Sequence, residues 1–126
     1  MKDDCLFCKI ANKEEKGKIY YEDDLVVVCL DAFPNVSGHS LIIPKKHYTD
    51  VTELPDELVV HIHKVANKIR PMLMEKFNKE GFTTLYNYGN TQIIKHYHLH
   101  LMPNNFKEEI KDITNPEDAF KIIKGE

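Results

Sequence analysis

Apolar residues fall into short runs toward both ends of the chain and into one helical stripe between them. Lys18–Glu22 predicts a short strand. Asp23-Asp24 predicts a turn, because aspartate side chains bond their own backbone there. Leu25–Leu30 is the apolar, β-branched kind of run that a buried strand carries. Pro34, Asn35, Ser37 and Gly38 predict a loop. Ser40–Ile43 predicts a second buried strand, stopped by Pro44.

From Thr52 to Asn78, the residues Leu58, Ile62, Val65, Ile69, Leu73 and Phe77 recur at helical steps, with Met72 alongside. That is the apolar face of an amphipathic helix. Pro55 and Asp56 suit its first turn. Pro71 is expected to kink or split it, since proline lacks an N–H and crowds the preceding turn. Phe82–Tyr88 predicts a strand, Gly89-Asn90 a turn and Ile93–Met102 the last strand. Pro116–Lys124 predicts a short C-terminal helix. The expected fold is α+β: a mostly antiparallel sheet with one long helix, in a single domain.

Composition narrows the function. With 126 residues, 42% hydrophobic and 29% charged, the chain matches an ordinary globular domain that needs no staple to form a core. Its net charge of −3 argues against a nucleic-acid polymer, which demands a cationic surface. A small anion remains compatible, because a few local donors suffice to bind it. No basic start followed by an apolar run marks a secretory leader, and no stretch is long enough to span a membrane. Three cysteines, Cys5, Cys8 and Cys29, then suggest reduced thiols in a cytoplasm rather than disulfides.

The densest chemistry is His96-Tyr97-His98-Leu99-His100-Leu101-Met102. On a strand, alternate residues share a face, so His96, His98 and His100 would line one side and Tyr97, Leu99 and Leu101 the other. Three readings compete: a solvated polar face, a metal site, or a phosphate site with a nucleophilic imidazole. A neutral imidazole is a good nucleophile near pH 7, and its neighbours can donate hydrogen bonds to phosphate oxygens. His61 and His63, two apart on a helix, point in different directions and read as surface residues.

That segment resembles the motif that names the histidine triad family. Cys5-Leu6-Phe7-Cys8-Lys9-Ile10 resembles the start of many bacterial members, and Tyr21-Glu22-Asp23-Asp24 the family's first hairpin. Gly38-His39-Ser40-Leu41-Ile42-Ile43-Pro44-Lys45-Lys46-His47 resembles its second motif. The resemblance covers roughly residues 5–103 and leaves 104–126 as a C-terminal extension.

It implies a nucleotide hydrolase or transferase, paired as a homodimer, that acts on a purine nucleotide or nucleotide conjugate. His98 matches the nucleophile that forms a nucleotidyl–histidine intermediate. His100 matches a contact to the α-phosphate and leaving group, and His39 a histidine that supports the triad. Asp31 matches the acceptor for the ribose hydroxyls. Asn87 and Gln92 match phosphate and leaving-group contacts. Phe7, Ile10, Cys29 and Ala32 fall near the wall of the purine pocket. The resemblance further implies a structural zinc on Cys5, Cys8, His47 and His96, the alternative being two metal-free thiols near the pocket.

Some positions depart from the family pattern. Asn90-Thr91 stand where many members have two small residues. Ile93 stands where the purine phosphoramidase branch carries serine, and the chain has no tryptophan for that branch's tail. The leaving group therefore stays open between phosphoramidates, dinucleoside polyphosphates and other conjugates. A metallohydrolase with the triad on one metal, and a non-catalytic nucleotide sensor, are the rival functions.

Overall fold

The computed structural model describes residues 4–105 and 113–126. In chain order the elements are α1 (Leu6–Ala11), β1 (Ile19–Glu22), β2 (Val26–Leu30), β3 (Ser40–Pro44), α2 (Asp56–Lys76), β4 (Gly81–Leu85), β5 (Leu99–Asn104) and α3 (Pro116–Lys124). Short 3-10 turns at Val51–Glu53 and Gly89–Thr91 precede α2 and follow β4. The strands form one antiparallel sheet of five in the order β1-β2-β3-β5-β4.

Both faces of the sheet are covered, which is why β2 and β3 are buried along their whole length. Val26, Val28, Ile42 and Leu101 meet Leu58, Ile62, Val65, Ile69 and Leu73 of α2. Val27, Cys29, Leu41 and Ile43 meet Phe7 and Ala11 of α1 on the opposite face. The β1–β2 turn forms as expected: Asp23 Oδ1 accepts from the N–H groups of Leu25 and Val26. Its Oδ2 lies 2.8 Å from His61 Nε2, which ties the hairpin to α2. His61 is thus a partnered residue rather than a bare surface one.

Several boundaries differ from the sequence expectation. Pro71 sits inside α2 without splitting it; it lies on the exposed face, where water can serve the carbonyl that loses its N–H partner. Pro44 pairs with Val26 as the last residue of β3 instead of ending it. The last strand begins at Leu99, not Ile93, and β4 ends at Leu85, the partner of His100. The segment before β5 is diverted by other bonds: Gln92 Nε2 donates to the carbonyls of Thr49 and Ile94, and Tyr97 N–H donates to Tyr48. Helix α1, six residues long, was not anticipated; its only sequence signal is the spacing of Phe7 and Ala11. Part of the 104–126 extension, residues 106–112, lies outside the described residues. Among the described residues, no helix is long and apolar enough to cross a membrane.

Candidate active site

The three triad histidines are pulled into different duties by backbone partners. His98 Nδ1 is 2.8 Å from the carbonyl oxygen of His96. A carbonyl can only accept, so Nδ1 carries the proton and Nε2 holds the ring's lone pair. His98 lines a cavity of about 1170 Å³ together with His100, Asp31 and Asn87. Phe7 meets the His98 ring edge-on, with centroids 4.8 Å apart and planes at 89°.

A second chain of bonds fixes His100. The backbone N–H of Asn35 donates to His39 Nδ1 at 3.0 Å. His39 therefore carries its proton on Nε2, which lies 2.8 Å from His100 Nδ1. His100 Nδ1 must accept, which leaves its proton on Nε2. That atom is buried and, among the described residues, has no hydrogen-bond partner. A buried donor without a partner costs free energy until a ligand supplies an acceptor. Asp31 stands beside this pair, its Oδ2 3.5 Å from His39 Nε2 and 4.0 Å from His100 Nδ1. Its other oxygen accepts from Phe33 N–H.

Burial lowers all of these imidazoles below their ordinary range. His100 is brought down to about 4, chiefly by burial and then by His98 and His39 beside it. Burial lowers His98 and His39 as well, against a smaller upward pull from Asp31. At neutral pH the cavity thus holds uncharged rings, one with an available lone pair and one with an available N–H. Burial pushes the Cys29 thiol up to about 12, so it acts as apolar wall.

His96 turns away from the cavity. Its Nε2 lies 2.8 Å from the Pro44 carbonyl, so the lone pair on Nδ1 faces the thiols of Cys5 and Cys8, both 3.4 Å away. Cys8 Sγ also lies 3.3 Å from His47 Nδ1. The four donor atoms are all within 4.8 Å of one another. Tetrahedral zinc with S and N ligands would set sulfur and nitrogen about 3.5 Å apart, so this cluster fits the ion. Asp31, His39 and His100 also cluster. They suit a metal poorly, because the Nε2 of His39 already bears a proton. Neither grouping contains His98, so the triad does not converge as one metal site.

The remaining expected residues separate. Phe7, Ile10, Cys29, Ala32 and Asn87 line the cavity. Gln92 does not; it is 3% exposed and spends its amide on the carbonyls described above. What sequence reading missed is mostly main chain: the Asn35 N–H and the carbonyls of Pro44 and His96, which leave no residue-type signature. The helix expected at Pro116–Lys124 forms as α3, but its place at the site, with Pro116, Glu117 and Phe120 lining the same cavity, was not foreseen.

The HIT domain profile matches residues 12–107, most of the chain. The protein belongs to the HIT family. An uncharacterized HIT-like protein of Methanocaldococcus jannaschii is 34% identical over 96% of this chain and 99% of its own length. The adenylylsulfatase HINT3 of Arabidopsis thaliana is 34% identical over 86% of this chain and 56% of its own length. Among solved structures, a zinc-bound histidine triad family protein from Mycobacterium smegmatis superposes with a TM-score of 0.86. It is 28% identical, and the match covers 97% of this chain and 91% of that one. The HIT chain thus shares its antiparallel fold with solved relatives along nearly its full length.

Proposed function

We propose that this HIT protein hydrolyses nucleotide conjugates through a nucleotidyl–histidine intermediate on His98. The observation that carries the reading is the His98 ring itself: its proton is held by the His96 carbonyl, and its lone pair belongs to a ring lining the cavity. That atom attacks the α-phosphorus, and a bond forms between Nε2 and phosphorus. The bond to the leaving group breaks, and the leaving group departs with its electron pair. The Nε2–H of His100 supplies a hydrogen bond to the α-phosphate and the departing atom. Water then attacks phosphorus, and the nitrogen–phosphorus bond breaks with its electron pair returning to Nε2 of His98. The water's proton passes to solvent, from which the departed leaving group takes one up, and a nucleoside monophosphate leaves. Asp31 would hold the ribose hydroxyls and Asn87 a phosphate oxygen, while His39 keeps His100 in the donating tautomer.

The leaving groups in view are the amine of a phosphoramidate and the nucleotide of a dinucleoside polyphosphate. The name of the Arabidopsis relative adds sulfate to these. Zinc on Cys5, Cys8, His47 and His96 would be structural, joining α1 to the segment that carries His98. The thiols suit a reducing cytoplasm. Pairing as a homodimer has an available edge in β4, where Leu85 and neighbouring Tyr86 are exposed.

The decisive experiment is rapid acid or heat quenching during turnover of an adenosine phosphoramidate, followed by intact-protein mass spectrometry. The expected result is a nucleotidyl adduct on His98 that is absent from His98→Ala. Turnover at the wild-type rate by that variant would remove the mechanism.

A further inference from the structure

The cavity extends well beyond the histidines. At about 1170 Å³ it exceeds the roughly 300–1,000 Å³ of ordinary ligand pockets. Pro116, Glu117 and Phe120 of α3, an element outside the matched motifs, line part of it. We propose that α3 is the base-recognition wall of the nucleotide site, with Phe120 stacking on the base and Glu117 accepting from its amino group. The inference rests on the nucleotide reading above and adds where the base lies and what reads it.

The register of the sheet gives the direction. Ile19, Cys29, Leu41 and His100 are successive cross-strand partners, so they form one row from β1 to β5. Adjacent strands are about 4.8 Å apart, so this row spans about 14 Å. A nucleoside monophosphate has comparable reach. With phosphorus at His98 and ribose at Asp31, just past the end of β2, the base is carried toward the β1 edge. Asn87 and Ile93 line the cavity beyond β5, on the β4 side, which leaves that end for the departing group.

At the β1 edge stands α3. It packs against β1 and α2. Thr114 N–H donates to Ser37 Oγ at 2.7 Å, and the Asn115 side chain caps the helix by accepting from Asp118 N–H. Ala119 is 1% exposed, and Ile123 packs on the core. The helix is therefore a fixed wall. Phe120 is half-buried and lines the cavity, while the Lys124 ammonium sits over its ring, 5.8 Å from the centroid. A cation thus lies over the same ring that lines the cavity, where an aromatic base could stack. Glu117, three residues earlier on the same helical face, brings an acceptor to the same wall. Cys29 and Ala32, both small, leave the room on the sheet side that a ring system needs.

Titration calorimetry on the full chain tests this with AMP, IMP and ribose 5-phosphate. Phe120→Ala and the shape-retaining Phe120→Leu should each weaken AMP and IMP about tenfold, the scale of one lost base–aromatic stack. Ribose 5-phosphate, which has no base, should be unaffected. Glu117→Ala should weaken AMP several-fold and leave IMP, which lacks the amino group, unchanged. Wild-type AMP affinity in all three variants overturns the assignment of α3 alone. So does an equal loss for ribose 5-phosphate, which would make α3 a general support. If the unmodified protein binds neither AMP nor IMP, the nucleotide reading itself fails.

Discussion

His39 Nε2 lies 2.8 Å from His100 Nδ1, and the N–H of Asn35 at the far side of the His39 ring settles which of the two donates. The direction of that bond sets the atom that His100 offers to a ligand. Removing His39 frees the His100 ring to rotate and to exchange tautomers. His39→Ala is expected to lower kcat about ten- to hundredfold, the usual cost of losing an orienting partner. Steady-state kinetics should show KM shifting far less than kcat, and an unchanged kcat would leave His39 without this role.

Loss of His98, the proposed nucleophile, should separate chemistry from binding. His98→Ala and His98→Asn are expected to reduce kcat by about 10⁴ or more. Calorimetry should find nucleoside monophosphate affinity within a few-fold of the unmodified protein, because neither change alters Asp31 or the apolar walls.

The thiol–imidazole cluster predicts one zinc ion per chain, measurable by elemental analysis. Cys8→Ser should lose the metal. Chelation of the unmodified protein should lower Tm by roughly 10 °C, since the binding free energy of a structural site is folding free energy. Complete loss of activity after chelation with Tm unchanged would instead make the metal catalytic.

Stability should fall on the acid side of neutrality. His100 has a folded value of about 4 and an ordinary value of 6.5; burial lowers His39 as well. Between those limits the unfolded chain binds more protons than the folded one, so stability rises with pH. It is fully present above about 6.5 and is lost as pH falls toward 4. Thermal melts should show Tm dropping by roughly 5 °C from pH 7 to pH 5. His100→Asn, which does not titrate, should flatten that slope.

Gly38 sets up the approach to His39. Its φ is +80°, and a Cβ there would meet the Phe77 ring at 2.6 Å. Gly38→Ala is expected to cost about 1–3 kcal/mol in chemical denaturation, combining a left-handed backbone with a steric conflict. A neutral result would show that Phe77 moves aside freely.

Much of this architecture was legible in the chain. The stripe from Leu58 to Leu73 identified α2 and its buried face, because helical periodicity in a sheet-covering helix is a direct image of the contact it makes. The run Leu25–Leu30 and the Asp23 turn were equally plain. The body of β5 was readable, though it runs two residues past Met102 to Asn104; its start was not, because alternation in Ile93–Met102 looks the same whether those residues pair with a neighbouring strand or not. In the folded chain the buried Gln92 amide draws the preceding segment away. His98 and His100 were expected at the site and both line the cavity, whereas their tautomers depend on main-chain atoms of Asn35 and His96 that any residue would supply. Phe120 and Glu117 lie in a part of the chain without a family pattern, and only folding brings them to the cavity that Asp31 also lines.

One feature of the His96 peptide reaches into how such proteins change over generations. The ring of residue 96 faces the cysteines, but the oxygen that orients the His98 ring belongs to the chain itself. No exchange of side chain at 96 can delete that oxygen. A lineage could therefore exchange the residues of the thiol–imidazole cluster one at a time and still pass on the same orientation of the His98 ring.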